Sequence, residues 1–307
     1  MNPDNRVDKR ALRRAFGRAA PTYEIAAVLQ ETVGARALER LQWVKVDPLV
    51  ILDAGSGVGG SAPALATRFP RATVVQMEIA PEMLGQARAR WLDKRYRGFG
   101  RLLQKFLPRM SWLTRGGGRQ VFLCGDNEQM SLRSTSVDLL WSNLSFQWAN
   151  KLESVFSECR RVLRPGGLLM FSTLGPDTLK ELRQAFAADA TFAHVHRFPD
   201  MHDVGDFLVQ AGFGDPVMDM ETLTLTYSDL NGLLKDLKAN GAQYAGPDRR
   251  RGLASRKIMA QAAQGYERFR DAGRLPATFE VIYGHAWKSG PRTGPGGRPV
   301  IDIQLRR

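Results

Sequence analysis

The sequence predicts an α/β fold in which helices wind doubly around a mostly parallel sheet, and three observations predict it. Short apolar runs of strand length occur at Leu49–Ala54, Ala72–Glu78, Gln120–Cys124, Val137–Ser142 and Leu168–Thr173. Segments with helical periodicity alternate with several of them, and the first run passes directly into Gly55-Ser-Gly-Val-Gly-Gly60. Uninterrupted apolar runs of this length suit strands buried on both faces, and alternation with helices imposes right-handed crossovers and parallel pairing.

The N-terminal stretch carries Arg6, Lys9, Arg10, Arg13 and Arg14 with no apolar core ahead of a cleavage site, so a secretory signal is not expected. Asp4 and Asp8 argue against a transit peptide and for a helix of the mature protein. Ile25, Val28, Leu29, Val33, Ala37, Leu38 and Leu41 recur at three- and four-residue steps, predicting one amphipathic helix. Ala62–Phe69 is the first crossover helix. Pro81 opens the next, because its missing N–H costs nothing in the first turn, and that helix runs to about Trp91. A helix from about Leu152 to Leu163 is stopped by Pro165-Gly-Gly167. Further helices are expected near 177–188, 202–211, 228–239 and 255–272, with strands near 217–225 and 277–287. The expected organisation is a helical lid over 1–44 and a catalytic domain over 45–288. That domain carries a basic insertion at 92–119 and helical cap elements at about 176–272, and a flexible basic tail covers 289–307.

Composition narrows the classes. The chain of 307 residues is 43% hydrophobic and 9% aromatic, which suits a soluble globular protein. No apolar run of about 18 residues occurs to cross a membrane. Cys124 and Cys159 alone support neither a disulfide framework nor a zinc site, and a cytoplasmic location is the expectation. The net charge of +13 suits nucleic acid, an acidic protein or an acidic small molecule as partner, or solubility alone. Between Leu92 and Arg119 eight basic residues face a single acid, Asp93, and Trp91, Tyr96, Phe99, Phe106 and Trp112 interleave with them. This segment suits an acidic protein partner, a nucleic-acid surface, an interfacial membrane helix, or a plain solvated insertion. Nucleic acid is the weaker expectation.

Ligands of open parallel sheets bind beyond the carboxyl ends of the strands, where the strand order reverses. Three turns meet there. Gly55, Gly57 and Gly59 let backbone approach a ligand and expose amides at a helix start. Glu78, 21 positions after Gly57, is placed to take both hydroxyls of a ribose. Asp126, ending the third strand, is either an acceptor for an adenine amino group or a helix N-cap. Gly55, Gly57 and Gly60 also satisfy the spacing of dinucleotide-binding dehydrogenases, so the turns alone leave both classes open.

The wider pattern separates them. Leu52-Asp-Ala-Gly-Ser-Gly57, Glu78, Gly125-Asp126, Asp138-Leu-Leu-Trp-Ser-Asn143 and Leu163-Arg-Pro-Gly-Gly-Leu168 resemble class I S-adenosylmethionine-dependent methyltransferases across Val50–Thr173. The resemblance implies a Rossmann-like, doubly wound, mostly parallel seven-stranded sheet with N-terminal helices, helical insertions and a long antiparallel final strand. It also implies S-adenosyl-L-methionine as the methyl donor, held by Asp53, Gly55, Gly57, Gly59, Glu78, Asp126, Asn127 and Asn143. Ser56 stands where many members carry cysteine, a departure of little weight because backbone amides bind there.

Phe16-Gly-Arg-Ala-Ala-Pro-Thr-Tyr23, Ser142-Asn-Leu-Ser-Phe-Gln-Trp148, His196-Arg-Phe-Pro199 and Leu237-Lys-Ala-Asn-Gly-Ala242 narrow it further. Over roughly Lys9–Lys288 the chain resembles the malonyl-acyl-carrier-protein O-methyltransferases of biotin synthesis. That implies esterification of the free carboxyl of a malonyl group on acyl carrier protein or CoA, with the acidic carrier as partner. Gly175-Pro-Asp-Thr-Leu-Lys-Glu-Leu-Arg183 and Leu275-Pro-Ala-Thr-Phe279 are similar to a sister group, the arginine-hydroxylating complex I assembly factors. Methylation of RNA or another acidic substrate is a third possibility, suggested by charge alone. A malonyl carboxylate is ionised at neutral pH and needs no general base, but it wants a positive anchor. Arg197 is the first candidate, its alternative being a surface salt bridge. Tyr23 is the expected lid over the donor, its alternative being packing on the first helix. Asn143 is a better donor contact than Trp148, which suits core packing. His194, His196 and His202 match no metal-ligand spacing, and no metal is expected.

Overall fold

The computed structural model describes residues 6–95, 119–187, 193–246, 249, 252 and 255–290. The basic insertion, apart from its ends, and the tail beyond residue 290 lie outside the described residues. Seven strands, β1 (Val50–Ala54), β2 (Thr73–Glu78), β3 (Gln120–Cys124), β4 (Val137–Ser142), β5 (Leu163–Leu174), β6 (Gly214–Tyr227) and β7 (Leu275–Trp287), form one sheet. Its order is β3-β2-β1-β4-β5-β7-β6. The first five pair in parallel, and β7 inserts antiparallel between β5 and β6.

Along β1 the side chains alternate between two cores. Ile51 joins Leu139, Trp141 and Met170 beneath α3 (Val28–Leu41), α4 (Ala62–Arg68) and α10 (Arg256–Glu267). Leu52 joins Leu140, Leu169 and Phe171 beneath α6 (Leu152–Val162) and α8 (Met201–Gln210). Both faces of the central strands are therefore apolar, and each fully buried aliphatic contributes roughly 1.5–3 kcal/mol. Asp138 aligns the start of β1, its Oδ2 accepting from Leu49 N at 3.0 Å and Val50 N at 2.8 Å. Because β1 sits between β2 and β4, the turns after β1, β2 and β4 open on one crevice at the switch point.

The remaining helices are α1 (Lys9–Ala19), α2 (Tyr23–Ala26), α5 (Pro81–Arg95), α7 (Lys180–Ala185) and α9 (Leu230–Ala239). Asp8 caps α1 by accepting from Arg10 N and Ala11 N, both at 3.0 Å. Four local expectations need correction. The amphipathic segment from Ile25 is two helices, broken at Ala27 (φ −87°, ψ 28°). Ile25 is 86% exposed and Val28 55% exposed, whereas Leu29, Val33, Ala37 and Leu41 are buried. The break separates the turn carrying Tyr23 from the helix that packs on the sheet. Pro165-Gly-Gly167 ends α6 and forms a bulge within β5, with Gly166 at φ +77° and Gly166 N donating to Lys288 O. The helix expected over 177–188 is confined to α7, because Leu179 takes a left-handed conformation and donates its N–H to Thr278 O. The helix expected over 255–272 stops at Glu267, ahead of the Asp271–Arg274 bridge that leads into β7.

Candidate functional site

The turn after β1 is left-handed at both of its working glycines. Gly55 has φ +76°, and a Cβ there would sit 1.8 Å from Ser145 Oγ, so no side chain fits. Gly57 has φ +55°, and a Cβ there would lie 3.7 Å from the Tyr23 ring. The N–H groups of Gly55 and Ser56 both donate to Met77 O, closing the loop onto β2. Glu78, buried at the end of β2, grips the same turn: Oε2 accepts from Gly57 N at 3.1 Å and Oε1 from Ala80 N at 3.0 Å. Asp53 lies on the neighbouring strand, 1% exposed, and its buried Oδ2 has no partner. Burial, reinforced by the nearby Glu78 charge, pushes the Asp53 carboxyl up to about 7. Burial likewise raises Glu78, against the opposing pull of its backbone hydrogen bonds.

At the end of β3, Asp126 Oδ1 accepts from Lys9 Nζ at 2.9 Å and from Glu128 N at 3.0 Å. Lys9 Nζ also pairs with Glu128 Oε2 at 2.8 Å. Sequence reasoning missed Lys9, because nothing in the spacing of α1 ties it to a turn more than a hundred residues away. Asn127 donates its amide to Ser145 Oγ at 2.8 Å, bracing the wall that abuts Gly55. Asn143 is held from both ends: Nδ2 donates to Gln30 O at 2.8 Å and Oδ1 accepts from Ser172 Oγ at 2.8 Å. Leu144 beside it has φ +48°, a strained conformation anchored by its N–H to Ser172 Oγ at 3.0 Å.

Three cavities adjoin here, and Tyr23 lines all of them. One of about 50 Å³ lies over Gly55, Gly57, Glu78 and Asp126. A second, of about 290 Å³, touches Asp53, Ser56 and Asn143. The third, of about 590 Å³, is walled by Trp148, Leu182, His196, Phe198, Leu237 and Tyr244 among others. Trp148 lines the first and the third, packed edge-on against Phe16 at 5.5 Å and His196 at 5.4 Å. It is a partition between cavities more than a core residue. Burial, with help from Glu78, raises the Tyr23 phenol far above its ordinary value.

The large cavity has a one-sided charge. Lys238 and Arg249 line it, and no Asp or Glu does among the described residues. Arg249 is also paired to Asp8 at 3.1 Å. His196 is buried there with Nε2 accepting from Ala245 N at 3.0 Å. Arg197 is exposed and absent from the lining, and its charge helps burial depress the neighbouring Arg183. The structure thus brings Tyr23, Asp53, Gly55, Gly57, Glu78, Asp126, Asn127 and Asn143 to one rim and leaves Arg197 outside the cavity. Gly59 (φ +78°) packs beneath the rim, on Gln76. Among the described residues no group of three metal-ligating side chains converges.

Left-handed glycine backbone, acids at two successive strand ends and an orphaned carboxylate oxygen fit a nucleoside bearing a cationic amino-acid arm. A methyltransferase domain model matches residues 52–171, the segment that builds this rim. A Bacillus halodurans protein described as a methyltransferase candidate is similar in fold, with a TM-score of 0.54 at 17% identity, covering 84% of this chain and 100% of that one. The chain is a methyltransferase of the doubly wound class, and S-adenosylmethionine is its cofactor.

Closer relatives refine the class. A malonyl-[acyl-carrier protein] O-methyltransferase of Gallionella capsiferriformans is 48% identical over 302 residues, 98% of this chain and 98% of the relative. One of the same name from Nitrosospira multiformis is 48% identical over 298 residues, 95% of this chain and 93% of the relative. The chain belongs to the malonyl-[acyl-carrier protein] O-methyltransferase family. No helix among the described residues is long and apolar enough to cross a membrane.

Proposed function

We propose that this chain transfers a methyl group from S-adenosylmethionine to the free carboxyl of a malonyl thioester carried on acyl carrier protein, the esterification that opens biotin synthesis. One observation carries the proposal: the donor rim and a large cavity that no Asp or Glu lines among the described residues meet at Tyr23. An anionic acceptor enters a cavity lined by Lys238 and Arg249 without meeting a like charge, whereas an arginine side chain would be repelled there. That same feature favours esterification over arginine hydroxylation.

In this reading the amide of Gly57, with Asp53 and Asn143, holds the amino-acid arm of the donor, and Gly55 leaves the space for it. Glu78 exchanges its bond to Gly57 N for the ribose hydroxyls, and Asp126 and Asn127 bound the adenine. The bound donor supplies an electrophilic methyl on positively charged sulfur, so the chain's task is to position and to exclude water. The acceptor carboxylate is ionised near neutral pH, and no residue need remove a proton. Tyr23 stays protonated, so its hydroxyl donates to the acceptor and does not attack. Apolar walls from Leu144, Leu179, Leu182 and Phe198 strip water from the carboxylate. Lys238 and Arg249 supply the positive field, and Arg197 contributes from outside the wall.

Incubation with methyl-labelled donor and either malonyl- or acetyl-carrier protein tests this. Label is expected on the malonyl carrier only and to be released by mild ester hydrolysis. Equal labelling of both carriers, or of neither, contradicts the proposal.

A further inference from the structure

We infer that the carrier protein docks on the edge formed by α2 and the C-terminal half of α9, around Ile25, Lys235 and Lys238; the inference rests on the esterification reading. An acyl group tethered to a carrier enters a cavity only where the lining meets solvent. Of the described residues lining the large cavity, only Lys238 and Gln243 are exposed, and both lie where α9 ends and its following loop begins. The mouth is therefore at this end of α9.

α2 borders the mouth directly, because Thr22 Oγ1 donates to Ala239 O at 3.1 Å. Ile25 on α2 is an aliphatic side chain left almost fully exposed, and Val28 follows one turn on. Lys235 and Lys238 stand one turn apart on α9, both exposed, and neither forms an ion pair among the described residues. The acids nearby have hydrogen-bond partners of their own. Glu24 pairs with Arg90 at 2.7 Å, Asp236 accepts from Tyr227 Oη at 2.7 Å, and Asp229, which feels the charge of Lys235, caps α9 through Gly232 N at 2.8 Å. Glu31 lines the donor-side cavity. An apolar centre bordered by exposed lysines suits a strongly acidic carrier, whose charge steers encounter while the aliphatic contact holds it. This places docking at the cavity mouth.

The test uses the full chain and the double variant I25D/K235E, neither residue lining any of the three cavities described. KM is measured for malonyl-carrier protein and for malonyl-N-acetylcysteamine, which lacks the carrier. The expected result is a KM for the carrier substrate raised about tenfold, with kcat and the KM for the small thioester unchanged. The salt dependence of the carrier KM should flatten as well. An unchanged carrier KM, or an equal rise for both substrates, overturns the docking face. Fluorescence anisotropy of labelled malonyl-carrier protein decides docking apart from turnover: unaltered affinity for the variant overturns the inference. Absent ester from both substrates in the unaltered chain strikes the esterification reading instead.

Discussion

On the donor side, the two acids that end strands are held by backbone a few residues or one strand away: Glu78 by Gly57 and Ala80, Asp126 by Glu128. On the acceptor side, no single turn holds the cavity. Its wall is assembled from α1, α2, the loop after β4, residues 193–198, α9 and the loop beyond, elements that meet only because the chain packs. The donor side is polar and buries carboxylates at a cost in solvation. The acceptor side is apolar, with cations and no acid among its described lining residues. The donor rim is built on the sheet, and the acceptor wall on helices and loops added around it. Tyr23 is the seam between them.

The largest effect should come from breaking the donor side alone. Gly57→Val forces a β-branched residue to φ +55° and drives its methyls toward the Tyr23 ring. The strain costs about 1–2 kcal/mol before any clash. Calorimetry with S-adenosylhomocysteine should show affinity lost by on the order of 100-fold while circular dichroism reports a folded chain. Unchanged affinity would place the donor elsewhere.

Cutting the seam should separate the two sides. Tyr23→Ala is expected to lower kcat by roughly 100-fold, the scale of a small misplacement of reacting groups, with donor affinity changed only a few-fold. A parallel loss of both would make Tyr23 a donor ligand and not a seam.

Acid should weaken the donor side and spare the other. With Asp53 raised to about 7, the free protein holds a proton there that a cationic donor arm displaces. Donor affinity should therefore rise with pH until it passes about 7, approaching tenfold per pH unit on the acidic limb. The sign for stability is opposite. Because the native value lies above the unfolded value of about 3.9, the donor-free fold is favoured at low pH and loses that stability as pH climbs toward 7. Asp53→Asn should flatten both profiles, and a persistent slope would assign the proton to another group.

The smallest effect is expected at Lys9. Lys9→Met removes ion pairs to Asp126 and Glu128 that are partly exposed, worth up to about 1 kcal/mol. Donor affinity should fall about threefold to fivefold, and Lys9→Arg should restore most of it.

The same contrast explains what was legible beforehand. The sheet, its switch point, and the placement of Gly55, Gly57, Glu78 and Asp126 follow from apolar runs of strand length and turn chemistry, which are local properties. Ile25 and Val28 fit the helical periodicity yet face solvent, because periodicity does not register the break at Ala27, where α2 turns away to carry Tyr23. Lys238, Arg249 and Lys9 stayed hidden, since basic residues on helices look alike until packing decides which reach a cavity. The motif around Arg197 points to the acceptor wall, but the side chain that turns inward there is His196.

A crystal structure of the chain with S-adenosylhomocysteine and a malonyl thioester tests the central claim most directly. The nucleoside should lie between Glu78 and Asp126. The acceptor carboxylate should sit in the large cavity beside Tyr23, aimed at the sulfur from a distance that leaves room for a methyl with reacting atoms roughly 3–3.5 Å apart. A thioester bound outside that cavity, or a nucleoside away from the glycine turn, would contradict the account.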